Sequence, residues 1–205
     1  MRMTMTTSLW ARTRVLCALA MTAGLLACGT PEVPPVEPAP EPVAALPGEA
    51  FFHSLAELYG LSYPGHGVFS STENDPMLGQ PMLMEVAVCE GREIRVPFLV
   101  GEDRSRTWVL TLTDAGLLLK HDHRHDDGTP HELTNYGGLA SAEGTALSQS
   151  FPADAETVGM LPEAATNVWT LSIDPERGIF VYHLERHGAP RFRAEFDMST
   201  PPALR

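Results

Sequence analysis

Apolar and polar residues alternate along most of the chain after residue 80. The alternation is clearest over 82–88, 94–100, 108–112, 169–173, 180–184 and 192–196, where every second residue is apolar. A period of two places the apolar side chains on one face of a β-strand. Strands that are apolar on one face only are typical of antiparallel sheets, because parallel strands covered on both faces read as continuous apolar runs. The pattern predicts an all-β, antiparallel fold.

Turn residues separate these segments, as at Glu90-Gly91, 114–116 and His187-Gly188, which indicates hairpins. Residues 49–59 have apolar side chains at helical spacing and are followed by Gly60, so we expect one N-terminal helix. Residues 141–150 are small and polar, which is typical of a loop or a weak edge strand. An up-and-down barrel or a two-sheet sandwich fits these elements, and we favour the barrel.

Residues 55–65 read Leu-Ala-Glu-Leu-Tyr-Gly-Leu-Ser-Tyr-Pro-Gly. This stretch resembles the start of calycin-type barrels, the group around the lipocalins. The resemblance implies a calycin-like barrel that begins just after the helix.

The N-terminal segment combines arginines with a short apolar stretch over 15–26, which ends in Leu25-Leu26-Ala27-Cys28. The stretch is too short for a comfortable membrane span and is typical of a signal peptide. The last four residues resemble the bacterial lipobox. An ordinary cleaved secretory peptide, with Cys28 incidental, is the alternative.

The lipobox resemblance implies that residues 1–27 are removed and that Cys28 carries acyl chains such as palmitate. Three chains would hold the protein on a membrane almost permanently. Gly29 follows the cysteine where inner-membrane lipoproteins tend to carry Asp. The resemblance therefore also implies an outer-membrane anchor on the periplasmic face.

Residues 28–48 are rich in Pro and Glu, which is typical of an extended linker. Residues 49–205 then form a single all-β domain, the usual size for one hydrophobic core. Without the leader the chain has 11 basic and 26 acidic residues, a net charge of −15. This charge argues against nucleic acid as a partner and against electrostatic attraction to anionic lipid.

The most suggestive chemistry lies in the stretch Lys-His-Asp-His-Arg-His at residues 120–125. If residues 117–125 form one strand, His121, His123 and His125 share the face that continues the core leucines. Imidazoles two residues apart can converge on a divalent metal such as zinc. A site would need a further ligand from elsewhere, for which the candidates are His131, Glu132 and His183. The alternative, which we favour, is that the imidazoles are hydrogen-bonded at the mouth of the barrel.

The other face of this strand carries Lys120, Asp122 and Arg124, which we expect to form a solvated ladder of ion pairs. Together with Tyr136-Gly-Gly138 and 151–154, the histidine stretch resembles a group of uncharacterised bacterial secreted proteins and lipoproteins. This resemblance spans 97–197 and implies no particular activity. The sequence contains no familiar catalytic motif.

Trp108 and Tyr136 are the candidate ligand-binding residues. Arg104 and Arg106 beside Trp108 could bind an anion, although an exposed loop and strand edge explain them equally well. The primary hypothesis is a non-enzymatic lipoprotein, anchored to the membrane through Cys28, that binds a small ligand or an envelope protein. One alternative is a metal-dependent hydrolase that uses His121–His125, and another is a structural envelope factor. A cavity lined by the histidines would favour binding or catalysis, whereas a filled interior would favour a structural role.

Overall fold

The computed structural model describes residues 47–199, which belong to one compact unit. The predicted signal peptide, the lipobox and the linker up to residue 46 lie outside the described residues. The elements in chain order are α1 (Pro47–Ala56), β1 (Ser62–Ser70), β2 (Pro81–Glu85), β3 (Val88–Glu90), β4 (Glu93–Val100), β5 (Asp103–Thr113), β6 (Gly116–His123), β7 (Tyr136–Leu139), β8 (Gly144–Thr145), β9 (Ser148–Pro152), α2 (Ala155–Met160), a 3₁₀ turn (Pro162–Ala164), β10 (Val168–Asp174), β11 (Ile179–Arg186) and β12 (Ala189–Asp197). Within 47–199, no helix is both long and apolar enough to span a membrane.

The strands form one antiparallel sheet, in the order β7-β6-β5-β4-β2-β1-β12-β11-β10-β9-β8, with β3 paired to β4. Most strands that follow each other in the chain are neighbours along this path. The exceptions are β3, which pairs only with β4, and the consecutive strands β7 and β8, which lie at the two ends of the path. β1 pairs with β12. The chain is therefore an up-and-down meander whose last strand returns to its first. The predicted all-β, antiparallel barrel-like fold is confirmed, with one curled sheet rather than a two-sheet sandwich.

The two ends of the sheet approach each other between β7 and β9. The Asp154 N–H donates to the Gly137 carbonyl at 2.9 Å, and the buried Thr157 hydroxyl of α2 donates to the same carbonyl at 2.9 Å. A Cβ on Gly138 would lie 1.9 Å from the Pro152 carbonyl oxygen. The Gly-Gly pair of β7 therefore lets the backbones meet and curls the sheet into a half-barrel.

The core lies inside this curl, because alternate residues of each strand point inward. In β4, for example, every second residue is buried. The helix α1 packs near the Leu117 end of β6, where Leu117 Cβ lies 3.1 Å from the position a Cβ on Gly48 would occupy. Phe51 and Leu55 of α1 are fully buried. Both side chains belong to the main hydrophobic core.

Two local predictions need correction. The helix ends at Ala56 instead of continuing to residue 59, although Gly60 ends the following turn with a φ of 78°. The segment 82–88 is broken into β2 and β3, because the Val86 N–H donates to Leu61 outside the ladder. The segment 141–150, predicted as a loop or a weak edge strand, contains the two-residue strand β8 at the edge of the sheet and the start of β9.

The helix α2 is absent from the sequence prediction. Asp154 caps it, since its carboxylate accepts a hydrogen bond from the Thr157 N–H at 2.8 Å. An Asp three residues before such a donor is a recognisable helix start. The helix has only six residues, too few for an apolar period to show.

Candidate functional site

A cavity of about 250 Å³ opens at the His123 end of β6, away from α1. The wall side chains come from β4, β5, β6, β7, β10, β11 and β12, and from the loops before β2 and β10. Its aromatic members are Phe98, Trp108, Tyr136, Trp169, Tyr182 and Phe192. The predicted ligand-binding residues Trp108 and Tyr136 are thus both in the wall of one cavity.

The aromatic rings are stacked on each other. Trp108 is stacked against both Phe98 and Tyr182, with centroid distances of 4.9 Å in each case and interplanar angles of 27° and 4°. The rings of His121 and Tyr136 are stacked at 4.7 Å. Such packing holds the rings in place, so the cavity has fixed flat walls.

His121 is the most deeply buried imidazole of the site, with 3 % of its surface exposed. Its Nδ1 lies 3.1 Å from the Tyr136 carbonyl oxygen, and its Nε2 lies 3.1 Å from the Tyr182 hydroxyl. A carbonyl can only accept, so Nδ1 carries the proton and Nε2 accepts from Tyr182. Burial lowers the pKa of His121 to about 3. The ring is therefore neutral at pH 7, and both nitrogens are engaged.

His123 lines the same cavity, and its Nε2 lies 2.9 Å from the Tyr136 hydroxyl. Burial, followed by the positive charge of Arg106, lowers the pKa of His123 to about 4. Burial also raises the pKa of Tyr136 to about 12. Both side chains are therefore uncharged at neutral pH, and the network adds no charge to the cavity wall.

His125 and His131 lie outside this cavity. The predicted strand 117–125 is two residues too long, because β6 ends at His123. A turn follows, in which the Gly128 N–H donates a hydrogen bond to the His125 carbonyl at 2.9 Å. His125 is exposed, and its ring is stacked on His131 at 3.9 Å. The structure therefore brings His121 and His123 together at the cavity, whereas His125 stacks on His131, whose ring lies 6.2 Å from that of His123.

The donor groups are not arranged for metal binding in the described part of the chain. Between residues 47 and 199, no group of three His, Cys, Asp or Glu side chains could hold a metal ion. His121 has both nitrogens engaged, while His183, a candidate further ligand, lies on β11 with its Nε2 3.9 Å from Glu185. The zinc site stays a prediction from the sequence, and forming it would require these side chains to move.

The opposite face of β6 is less solvated than predicted. Asp122 is only 6 % exposed and pairs with Arg124 at 2.8 Å. Lys120 contacts Asp154 at 2.8 Å and Glu156 at 2.7 Å. These contacts tie β6 to α2, so this face is a structural junction and not a free ladder of charges.

Three arginines line the cavity: Arg106, Arg186 and Arg191. Arg106 pairs with Asp103, whose pKa is held at about 2 because hydrogen bonds from Ser105 and Arg106 outweigh its burial. The sequence indicated Arg104 and Arg106 as candidate anion-binding residues, and of these two only Arg106 lines the cavity. Arg186 and Arg191 flank the predicted turn at 187–188, where they look like ordinary hairpin residues.

Asp75 is the one acidic residue in the cavity lining. It accepts hydrogen bonds from the Ser70 hydroxyl at 2.6 Å and from the Met77 N–H at 2.9 Å. Its carboxylate thus stabilises the loop between β1 and β2.

Comparisons of the whole chain with family models, curated proteins and solved structures gave no match.

Proposed function

We propose that this protein is a lipid-anchored cell-envelope protein whose barrel binds a small ligand and catalyses no reaction. The observation that supports this best is the aromatic cavity at the open end of the barrel. An apolar pocket with a few convergent polar groups is the usual form of a small-molecule site. A purely structural factor would have no need of such an opening.

The size of the cavity limits the ligand. A cavity of about 150 Å³ lined by apolar side chains is large enough for benzene. The 250 Å³ measured in this barrel is therefore suited to a compact ligand with one or two rings. Long or bulky ligands would need the barrel to open further.

The polar groups of the cavity favour binding over catalysis. The lining of the described cavity includes no Ser, Thr, Cys or Lys that could serve as a nucleophile. His121 has both nitrogens engaged, and its pKa of about 3 is far from the neutral range in which a general base works best. The imidazoles instead fix the hydroxyls of Tyr136 and Tyr182 in the wall.

The anchoring part of the proposal rests on the lipobox resemblance at Cys28 and on the Pro-rich linker that follows. An acylated Cys28 would hold the protein on the periplasmic face of the outer membrane. The linker would let the barrel stand off from the lipid surface. In this position the cavity would meet small molecules of the periplasm.

Calorimetric titration with 2-naphthamide, an uncharged two-ring compound, tests the binding function. The protein would carry Cys28→Ser so that no acyl chain or detergent competes for the probe. We expect saturable binding to one site. Leu184→Trp should abolish it by filling the cavity, since Leu184 is a lining residue.

The matched control is Leu147→Trp, which adds the same ring at a residue that is 41 % exposed between β8 and β9. This variant should bind like the unchanged protein. Near-ultraviolet circular dichroism would check that both variants are folded. Absence of binding to the unchanged protein, or equal binding by the Leu184→Trp variant, would overturn the proposal.

A further inference from the structure

We infer that the cavity selects a compact aromatic monocarboxylate, with its ring among the aromatic walls and its carboxylate against Arg186 and Arg191. This inference rests on the proposed binding function and names the ligand class. It follows from how charge and hydrogen-bonding capacity are divided within the cavity.

The cavity wall has the opposite charge balance to the chain as a whole. The full chain has a formal net charge of −12, yet the lining includes three arginines and one aspartate, Asp75. The two imidazoles add no charge, because each is neutral at pH 7. A ligand that enters this cavity therefore meets a positive wall in an acidic protein, which favours an anion.

Arg186 and Arg191 have no carboxylate partner within the described residues. Arg186 makes one hydrogen bond there, from Nε to the Asn167 Oδ1 at 2.8 Å. Arg191 donates to the hydroxyls of Ser71 and Thr72. Their neutral partners leave both positive charges unbalanced.

Arg186 is also held in position. Asn167 is only 3 % exposed and lines the cavity with Arg186. Its amide oxygen fixes the Nε edge of the guanidinium, while the terminal nitrogens make no hydrogen bond to any other described residue. A planar guanidinium with free terminal nitrogens matches a carboxylate, which can accept two parallel hydrogen bonds.

The aromatic part of the cavity offers a charged ligand group fewer free hydrogen-bond donors than the two arginines do. The Tyr182 hydroxyl is engaged by His121, and the Tyr136 hydroxyl by His123. The Trp108 ring packs against Phe98 and Tyr182 and is 1 % exposed. The ligand should therefore place its apolar ring in this region and its charge at the arginines.

The test uses three compounds with one ring system: 2-naphthoate, 2-naphthamide and 2-naphthylmethylammonium, with acetate as an anion without a ring. Titration calorimetry at pH 7 would measure each against the protein carrying Cys28→Ser. We expect the naphthoate to bind about tenfold more tightly than the amide, which corresponds to about 1.4 kcal/mol. The ammonium compound and acetate should bind more weakly than the amide.

Arg186→Gln combined with Arg191→Gln should remove the tenfold preference for the naphthoate over the amide. The matched control is Arg177→Gln, which removes one charge from an exposed ion pair with Glu195 outside the cavity. This control should keep the preference for naphthoate. Because both cavity arginines are only partly buried, the double variant should fold.

The two proposals can fail separately. If no naphthyl compound binds, the binding function itself is wrong. If 2-naphthamide binds as tightly as 2-naphthoate, or if the double variant keeps the preference, the binding function stands and the anion selectivity is wrong. Naphthoate binding that is lost equally in the Arg177→Gln variant would mean that overall charge, and not the cavity arginines, attracts the ligand.

Discussion

Lowering the pH from 7 to 5 should destabilise the folded barrel, because His121 is buried in its neutral form. The imidazole has an ordinary pKa of 6.5, which burial lowers to about 3 in the fold. Between these two values the unfolded chain binds a proton that the folded chain does not. The free energy of unfolding therefore falls as the pH drops below 6.5.

The expected loss follows from the difference in proton uptake. Each pH unit over which one proton is bound only by the unfolded chain costs about 1.4 kcal/mol. Between pH 6.5 and pH 5, His121 alone should lower the free energy of unfolding by about 2 kcal/mol. His123, whose pKa is lowered to about 4, acts in the same direction.

The titration of carboxyl groups does not account for a change in stability between pH 7 and pH 5. Asp103 has a pKa of about 2 in the fold against an ordinary value of 3.8. A carboxyl group of this kind contributes stability above its unfolded pKa, and this stability is lost only as the pH falls below that value. Above pH 5, the pH dependence should therefore report the imidazoles.

Urea unfolding at pH 7, 6 and 5 would measure the effect, with the fluorescence of the buried Trp108 and Trp169 as the signal. In a His121→Asn variant the difference between pH 7 and pH 5 should shrink by about 2 kcal/mol. His66→Asn is the matched control, since it removes an exposed imidazole of β1 outside the cavity. A free energy of unfolding that stays constant from pH 7 to pH 5 would refute the assignment of a neutral, buried His121.

Three further predictions concern the barrel seam, the anchor and the metal. Gly138→Ala should lower the free energy of unfolding by about 2 kcal/mol in urea titrations, because the new Cβ would lie 1.9 Å from the Pro152 carbonyl oxygen. The control is Gly159→Ala, which should not destabilise the fold because a Cβ there has no atom within 4 Å. Cys28→Ser should abolish metabolic labelling with a fatty acid, and continued labelling would contradict the lipoprotein assignment. If the protein binds zinc, replacing His123 and His125 together by Ala should abolish zinc binding. The site would be excluded if the purified protein contains no stoichiometric metal and if neither zinc nor a chelator changes its melting temperature.

The sequence was most informative where structure depends on nearest neighbours. Alternation over 94–100 and 108–112 predicted β4 and part of β5, because strand periodicity is a local property. The His187-Gly188 pair predicted a hairpin, and both residues have positive φ there. Local patterns of this kind were enough to establish an all-β, antiparallel fold.

The histidine stretch shows where local periodicity stops being sufficient. Alternation placed His121, His123 and His125 on one face, but this holds only while the chain stays extended. The turn after β6 accepts a hydrogen bond at His125 and takes it out of the strand. Only the imidazoles that remain within β6 reach the cavity.

The tertiary structure alone decided what surrounds the cavity. Arg106, Asn167, Arg186 and Arg191 come from parts of the chain up to 85 positions apart, and no local pattern marks them as a group. They line one cavity because the sheet curls and its ends come into contact at the glycines of β7. Hydrophobic alternation predicts which side of a strand faces inward. The charges that line the inside depend on residues from distant strands, which only the curled sheet brings together.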